Sequence, residues 1–121
     1  MNLINQAKEL NLDEIIGRKL MQVCTGLYQI ILHFDKNFTV DVVDSIVLKK
    51  NDTIISRWDY KNGKKNFLIS ELLESEIAGF TFFENYLELS FKGNYSLQIL
   101  SSDGNFESFI IMFNAEYYVF N

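Results

Sequence analysis

The sequence predicts an α+β, mainly β domain: a short N-terminal helix and two pseudo-repeated antiparallel β-meanders that form a sandwich or a curved, barrel-like sheet. Three observations predict it. Apolar and polar residues alternate in short segments bounded by Gly-, Asn- and Asp-containing turns, the pattern of half-buried strands. Aromatic content is 15%, with 11 Phe and 6 Tyr, residue types that favour pleated, packed surfaces. The second half also lies on the first without gaps at an offset of 57 residues, which pairs Ile30 with Leu87, Leu32 with Leu89, Phe34 with Phe91 and Val40 with Leu97.

In chain order, Leu3, Ala7 and Leu10 fall at helical spacing, so residues 2–10 are expected to form an amphipathic helix. Asn11 or Asp13 caps a second turn, which Gly17 ends in a left-handed conformation. Strands follow over 20–25 and 28–34, then, after the turn Asp35-Lys36-Asn37, over 38–48 and 53–60. Residues 61–66 read as a loop rich in turn formers and Lys, and Ser70 opens a short helix over 71–75. The stretch 85–113 reads as three strands of one meander, turning at Lys92-Gly93-Asn94 and Asp103-Gly104-Asn105. Its last segment, 106–113, is almost continuously apolar, which predicts a strand covered on both faces. The repeat spans 13–66 and 70–121 of a single domain, 1–121. Beyond Val43 its turns cease to coincide, and Glu74 stands where the first half has Gly17.

A chain of 121 residues with 48% apolar composition supports one core. A net charge of −5 opposes general affinity for nucleic acid or anionic membrane and permits a basic protein partner. The lone Cys24 forms no internal disulfide, and the N-terminus lacks the pattern of a signal peptide, so a reduced, cytoplasmic setting is expected. No apolar run approaches the ~20 residues of a spanning helix.

Catalytic chemistry is not signalled. His33 is the only histidine and lacks the partners of a triad or zinc site, so no catalytic residue, cofactor or metal is expected. The many carboxylates read as an acidic surface that steers a basic partner. The only Trp, Trp58, stands beside Asp59 and Tyr60 in a basic and aromatic cluster. That cluster suits a protein hot spot or a single strand of nucleic acid, or else simply strand residues of the core.

The segments Leu12-Asp13-Glu14-Ile15-Ile16-Gly17, Leu32-His33-Phe34, Leu72-Leu73, Leu87-Glu88-Leu89-Ser90-Phe91 with Gly93, and Glu107-Ser108 together resemble small bacterial immunity-type domains. These belong to polymorphic and contact-dependent growth-inhibition toxin systems. The resemblance implies a non-catalytic, cytoplasmic inhibitor of a cognate toxin domain, such as a basic nuclease. Asp41, Asp44, Asp59, Glu84 and Glu88 are the candidates for its charge and Trp58 and Tyr60 for its anchors. A non-catalytic oligomerising module is the alternative, and the sequence leaves the oligomeric state open.

Overall fold

Leu3, Leu12 and Ile15 are fully buried, so the N-terminal segment folds back onto the strands instead of leaving them. The computed structural model describes residues 3–8, 10–62, 70–102 and 106–121. Helix α1 covers only Leu3–Gln6, shorter than the expected 2–10, and a turn follows it. So short a helix cannot support itself, since nucleation costs more than one turn returns. It is held from outside, by Leu3 N–H donating to Glu84 O (2.8 Å) and by Asn121 N–H donating to the Gln6 side chain (2.9 Å). A 3-10 turn, Asp13–Ile15, comes next. Asn11 Oδ1 accepts from Asp13 N–H just before it (2.9 Å).

Ten strands follow among the described residues: β1 (Leu20–Thr25), β2 (Ile30–Phe34), β3 (Phe38–Val42), β4 (Ser45–Lys50), β5 (Thr53–Asp59), β6 (Ile77–Phe82), β7 (Tyr86–Phe91), β8 (Tyr95–Leu100), β9 (Phe109–Phe113) and β10 (Glu116–Phe120). They form two antiparallel five-stranded sheets with orders β1-β2-β3-β9-β10 and β6-β7-β8-β4-β5. The architecture is a mainly β sandwich around one buried apolar cluster. Each meander is therefore completed by a hairpin from the other half of the chain.

Three expectations change in detail. Residues 38–48 make two strands in different sheets, because Val43 and Asp44 carry the chain across the sandwich. β9 does not extend the meander of β7 and β8 but pairs with β3 and β10. Nor is it covered on both faces: Phe109, Ile111 and Phe113 are buried, whereas Ile110 and Met112 point outward and remain half-exposed. The turn at 103–105 and loop positions 63–66 lie outside the described residues.

Equivalent positions in the two halves adopt equivalent backbones. Gly17 (φ 89°) and Glu74 (φ 68°) are both left-handed, as are Lys36–Asn37 and their counterparts Gly93–Asn94. Both β1 and β6 carry an irregularity in register, between Leu20 and Gln22 and between Ile77 and Gly79. Hydrogen bonds across the halves are reciprocal: Gly17 N–H donates to Ile77 O and Glu74 N–H to Leu20 O, both at 2.7 Å. Lys19 bridges directly to Glu76, its own counterpart. Contacts in which i meets j′ while j meets i′ define a twofold relation, here within one chain.

The relation continues past Val43 once the crossovers are compared. Two residues, Val43 and Asp44, join β3 to β4, whereas residues 101–108 join β8 to β9. Beyond the longer crossover Phe109 answers to Ile46 and Ile111 to Leu48. The turn Asn51–Asp52 matches Asn114–Ala115, all four with positive φ. Trp58 answers to Phe120, and both are buried.

Candidate functional site

Two features distinguish one half from the other, and both lie where the repeat is broken. The first is at the end of the sandwich where the chain crosses between sheets. Ser108, fully buried, ties the two crossovers together: its carbonyl accepts from Val43 and Asp44 N–H (3.0 Å each), and its hydroxyl donates to Asn121 O (2.6 Å). Beside this knot a cavity of about 640 Å³ is lined by Tyr28, Val43, Asp44, Ser45, Asp59, Tyr60, Lys61, Ser102, Phe106 and Glu107. Tyr60 N–H donates to Asp44 O (3.0 Å) and Asp59 accepts from Lys61 N–H (2.9 Å), which fixes the wall formed by the end of β5. Tyr28, Tyr60 and Phe106 are 72%, 50% and 80% exposed, so three rings are presented to solvent around three carboxylates.

The other half of the molecule closes the corresponding place. The tight turn in which Gly26 N–H donates to Gln29 O (2.8 Å) has its counterpart where Phe83 N–H donates to Tyr86 O (2.8 Å). α1 packs on that second turn through the Leu3–Glu84 hydrogen bond. At the first turn, Tyr28 instead faces the open cavity.

The second feature is the outer face of the first sheet. Strand register aligns Cys24, Ile31, Asp41, Ile110 and Val119 in one row across it. The corresponding row of the second sheet reads Thr81, Glu88, Gln98, Val47 and Arg57. In the next row, Met112 and Tyr117 stand where the second sheet has Lys49 and Ile54. The row through Asp41 is thus apolar around a single acid, beside a second row that begins with Gln22, His33 and Thr39, whereas its counterpart is polar apart from Val47, with Gln98 donating to Glu88 (3.4 Å).

One carboxylate oxygen of Asp41 is buried and has no hydrogen-bond partner. Burial in the sheet face, and then the charge of Glu107 from the cavity rim, push its pKa above the ordinary 3.8. Folding therefore favours the protonated form: the stabilisation is complete below the unfolded value and is lost as pH rises through the raised native one. Asp41→Asn is accordingly expected to unfold at a higher temperature than the parent at neutral pH. Calorimetric scans at stepped pH should show the gap closing towards acid; a variant less stable than the parent at neutral pH would refute the assignment.

The residues expected to meet a partner are thus sorted into separate places. Asp44, Asp59 and Tyr60 share the cavity, and Asp41 occupies the adjoining sheet face, linked to it through Glu107. Glu88 lies on the opposite sheet, and Glu84 is exposed beside α1. Trp58 is 2% exposed, so it is a core residue with no surface to offer as an anchor. Tyr28, Phe106 and the row containing Ile31 and Ile110 are not among the partner-binding residues expected from the sequence, and Glu107 enters there only through the Glu107-Ser108 of the resemblance. The one available signal was the apolar run 106–113, which is too apolar for a strand with a solvated face. Among the described residues no three His, Cys, Asp or Glu side chains are grouped to hold a metal ion, and no helix is long and apolar enough to cross a membrane. Comparison with protein-family models, curated proteins and solved structures gives no match.

Proposed function

We propose that this chain is a non-catalytic immunity-type protein, working in the cytoplasm, that binds a cognate toxin domain and neutralises it by covering its active site or an essential surface. The observation that carries the reading is the contrast between the two outer sheet faces. Two sheets built to one plan need the same solvated exterior, yet only the first replaces Glu88, Lys49 and Arg57 by Ile31, Met112 and Val119. Apolar residues around a partly desolvated charge are the composition of a protein contact with a charged centre. Asp41 selects the sign: it calls for a Lys or Arg on the partner, as a nuclease with a basic substrate cleft would supply. A second copy docked about Asp41 would instead bring two carboxylates together.

The test is purification of the tagged full-length chain from its native host, followed by titration of any co-purified nuclease with the pure protein. Stoichiometric loss of nuclease activity is expected. Ile110→Lys, which places a cation beside the partner's own, is expected to weaken binding by about 2 kcal/mol or more, roughly thirtyfold. Concentration-dependent self-association with no co-purifying nuclease would replace this reading by that of an oligomerising module.

A further inference from the structure

We propose that β10 is a docking edge for a second copy of this chain, the two β10 strands pairing antiparallel about a twofold axis at Tyr118. The pairing goes beyond the reading as an immunity-type protein, since it uses the backbone of β10 and leaves Asp41 facing outward in both copies.

Four of the described strands are sheet edges, β1, β5, β6 and β10. An exposed edge invites another chain unless a bulge, a charge or a cover blocks it. β1 and β6 are blocked. Both carry irregular register, and each is tied to the opposite half of the chain, Leu20 bonding to Ser75 and Glu74 and Ile77 to Arg18 and Gly17. β5, the counterpart of β10, has a register shift between Leu48 and Lys49 of its partner strand and carries Arg57 and Asp59. β10 has none of these devices: its pairing with β9 is regular throughout, and its single charge, Glu116, stands at its start.

The turn into β10 fixes which backbone groups face outward. Asn114 and Ala115 both have positive φ and lie between the paired Phe113 and Glu116, which is the two-residue hairpin of type I′. The residues flanking such a turn exchange both ladder bonds, so Glu116, Tyr118 and Phe120 bond to β9. Tyr117 and Val119 therefore turn their N–H and C=O groups to the free edge. The end of the strand agrees: Asn121 N–H, of the same parity, donates to the Gln6 side chain on α1 (2.9 Å). Among the described residues no backbone bond outside the ladder reaches Tyr117 or Val119, and both side chains are exposed.

A second copy is the occupant whose groups match. About an axis at Tyr118, Tyr117 of each copy meets Val119 of the other, which gives two fully hydrogen-bonded pairs in a closed, isologous contact. On the outer face each pair sets an aromatic ring against a β-branched side chain, a favourable cross-strand combination. Glu116 falls opposite Phe120, so no two acids are opposed. The axis stands perpendicular to the sheet, and the two first sheets join edge to edge with their outer faces looking the same way. Asp41, on the central strand β3, then lies about 24 Å from its mate, five strand spacings of about 4.8 Å, so the two carboxylates are kept apart.

The experiment is sedimentation of the intact protein from about 10 μM to about 1 mM, with amide hydrogen exchange read by NMR at both ends of that range. A weak dimer is expected, because a five-residue edge buries less than a standard interface. Exchange at Tyr117 and Val119 should slow at least about threefold at the higher concentration, while Glu116, Tyr118 and Phe120, already bonded to β9, stay unchanged. Val119→Pro removes an outward N–H without touching the ladder and should weaken the dimer at least about tenfold, whereas Val119→Ala, which keeps that N–H, should weaken it less. The exchange measurement needs no variant, so it decides the matter even where the proline chain does not fold. A protein that stays monomeric up to the highest concentration would overturn the proposal, as would a dimer in which both amides exchange unchanged. Protection of the two amides only on addition of a toxin would also overturn it and give the edge to a partner's strand.

Discussion

Trp58→Ala is expected to lower the unfolding free energy by about 3–5 kcal/mol, a large part of the 5–15 kcal/mol typical of a domain. Trp58 is the largest fully buried side chain among the described residues and lies on β5, whose one neighbour among the described strands is β4. Its Ile46 partner is itself fully buried, so the indole packs into the core and its removal leaves a void there. The loss is therefore transfer free energy plus a cavity that a sheet edge cannot collapse into without breaking its register. A fall in melting temperature of roughly 10–25 °C should follow. Arg57→Ala, one residue away and pointing to solvent, is the control and should change stability by less than about 0.5 kcal/mol. Trp58 is the chain's only tryptophan, so calorimetry or circular dichroism must provide the comparison. Equal effects of the two substitutions would contradict the burial of Trp58.

What sequence reveals here follows the range over which each signal acts. The alternation in β7 and β8 and the Gly93–Asn94 turn are local, and each reads correctly because the period-2 pattern and the positive φ are set by neighbouring residues. The exchange of hairpins between halves is not local. Nothing near β9 distinguishes pairing with β8 from pairing with β3, since both offer an apolar inner face at the same spacing. Crossover length does not announce it either, because the first half passes from one sheet to the other with only Val43 and Asp44 between β3 and β4. Glu74 is instructive in the same way. As a residue type it argues against equivalence with Gly17, yet its backbone takes the same left-handed conformation because its N–H must reach Leu20 O. A tertiary hydrogen bond outweighs the modest cost of a non-glycine residue there.

The candidate site was half legible for a related reason. Asp44, Asp59 and Tyr60 stand out as charge and aromatic, and the fold gathers them. Trp58 carries the same interface-favoured chemistry but falls on the opposite side of the β5 pleat, where alternation puts it in the core. Ile31 and Ile110 are ordinary core-type residues by composition. They become informative only when register sets them beside each other on an outward face, and against Glu88 and Val47 in the equivalent sheet.

Cutting the chain between Asn66 and Phe67 is expected to give two fragments that fold together and fail apart. Each sheet takes three strands from one half and two from the other, so a lone first half has β1, β2 and β3 without β9 and β10. Its Val40 and Val42, fully buried in the intact protein, would then lie on a strand paired only with β2, its other edge open, and faced by no more than the β4–β5 hairpin. Residues 67–121 suffer the mirror deficit, with β8 lacking β4 and the buried Ile46 and Leu48. A three-stranded meander newly opened at the edge of its third strand, faced by a two-stranded hairpin in place of a five-stranded sheet, buries too little surface to offset its chain entropy. In equimolar mixture both deficits vanish together, and the reciprocal bonds between Gly17 and Ile77 and between Glu74 and Leu20 re-form the joint. Circular dichroism melts should show no cooperative transition for either fragment at micromolar concentration and a concentration-dependent one for the pair. Independent, cooperative melting of one fragment as a monomer would mean that the strands do not exchange between halves, and the twofold architecture would fall with it.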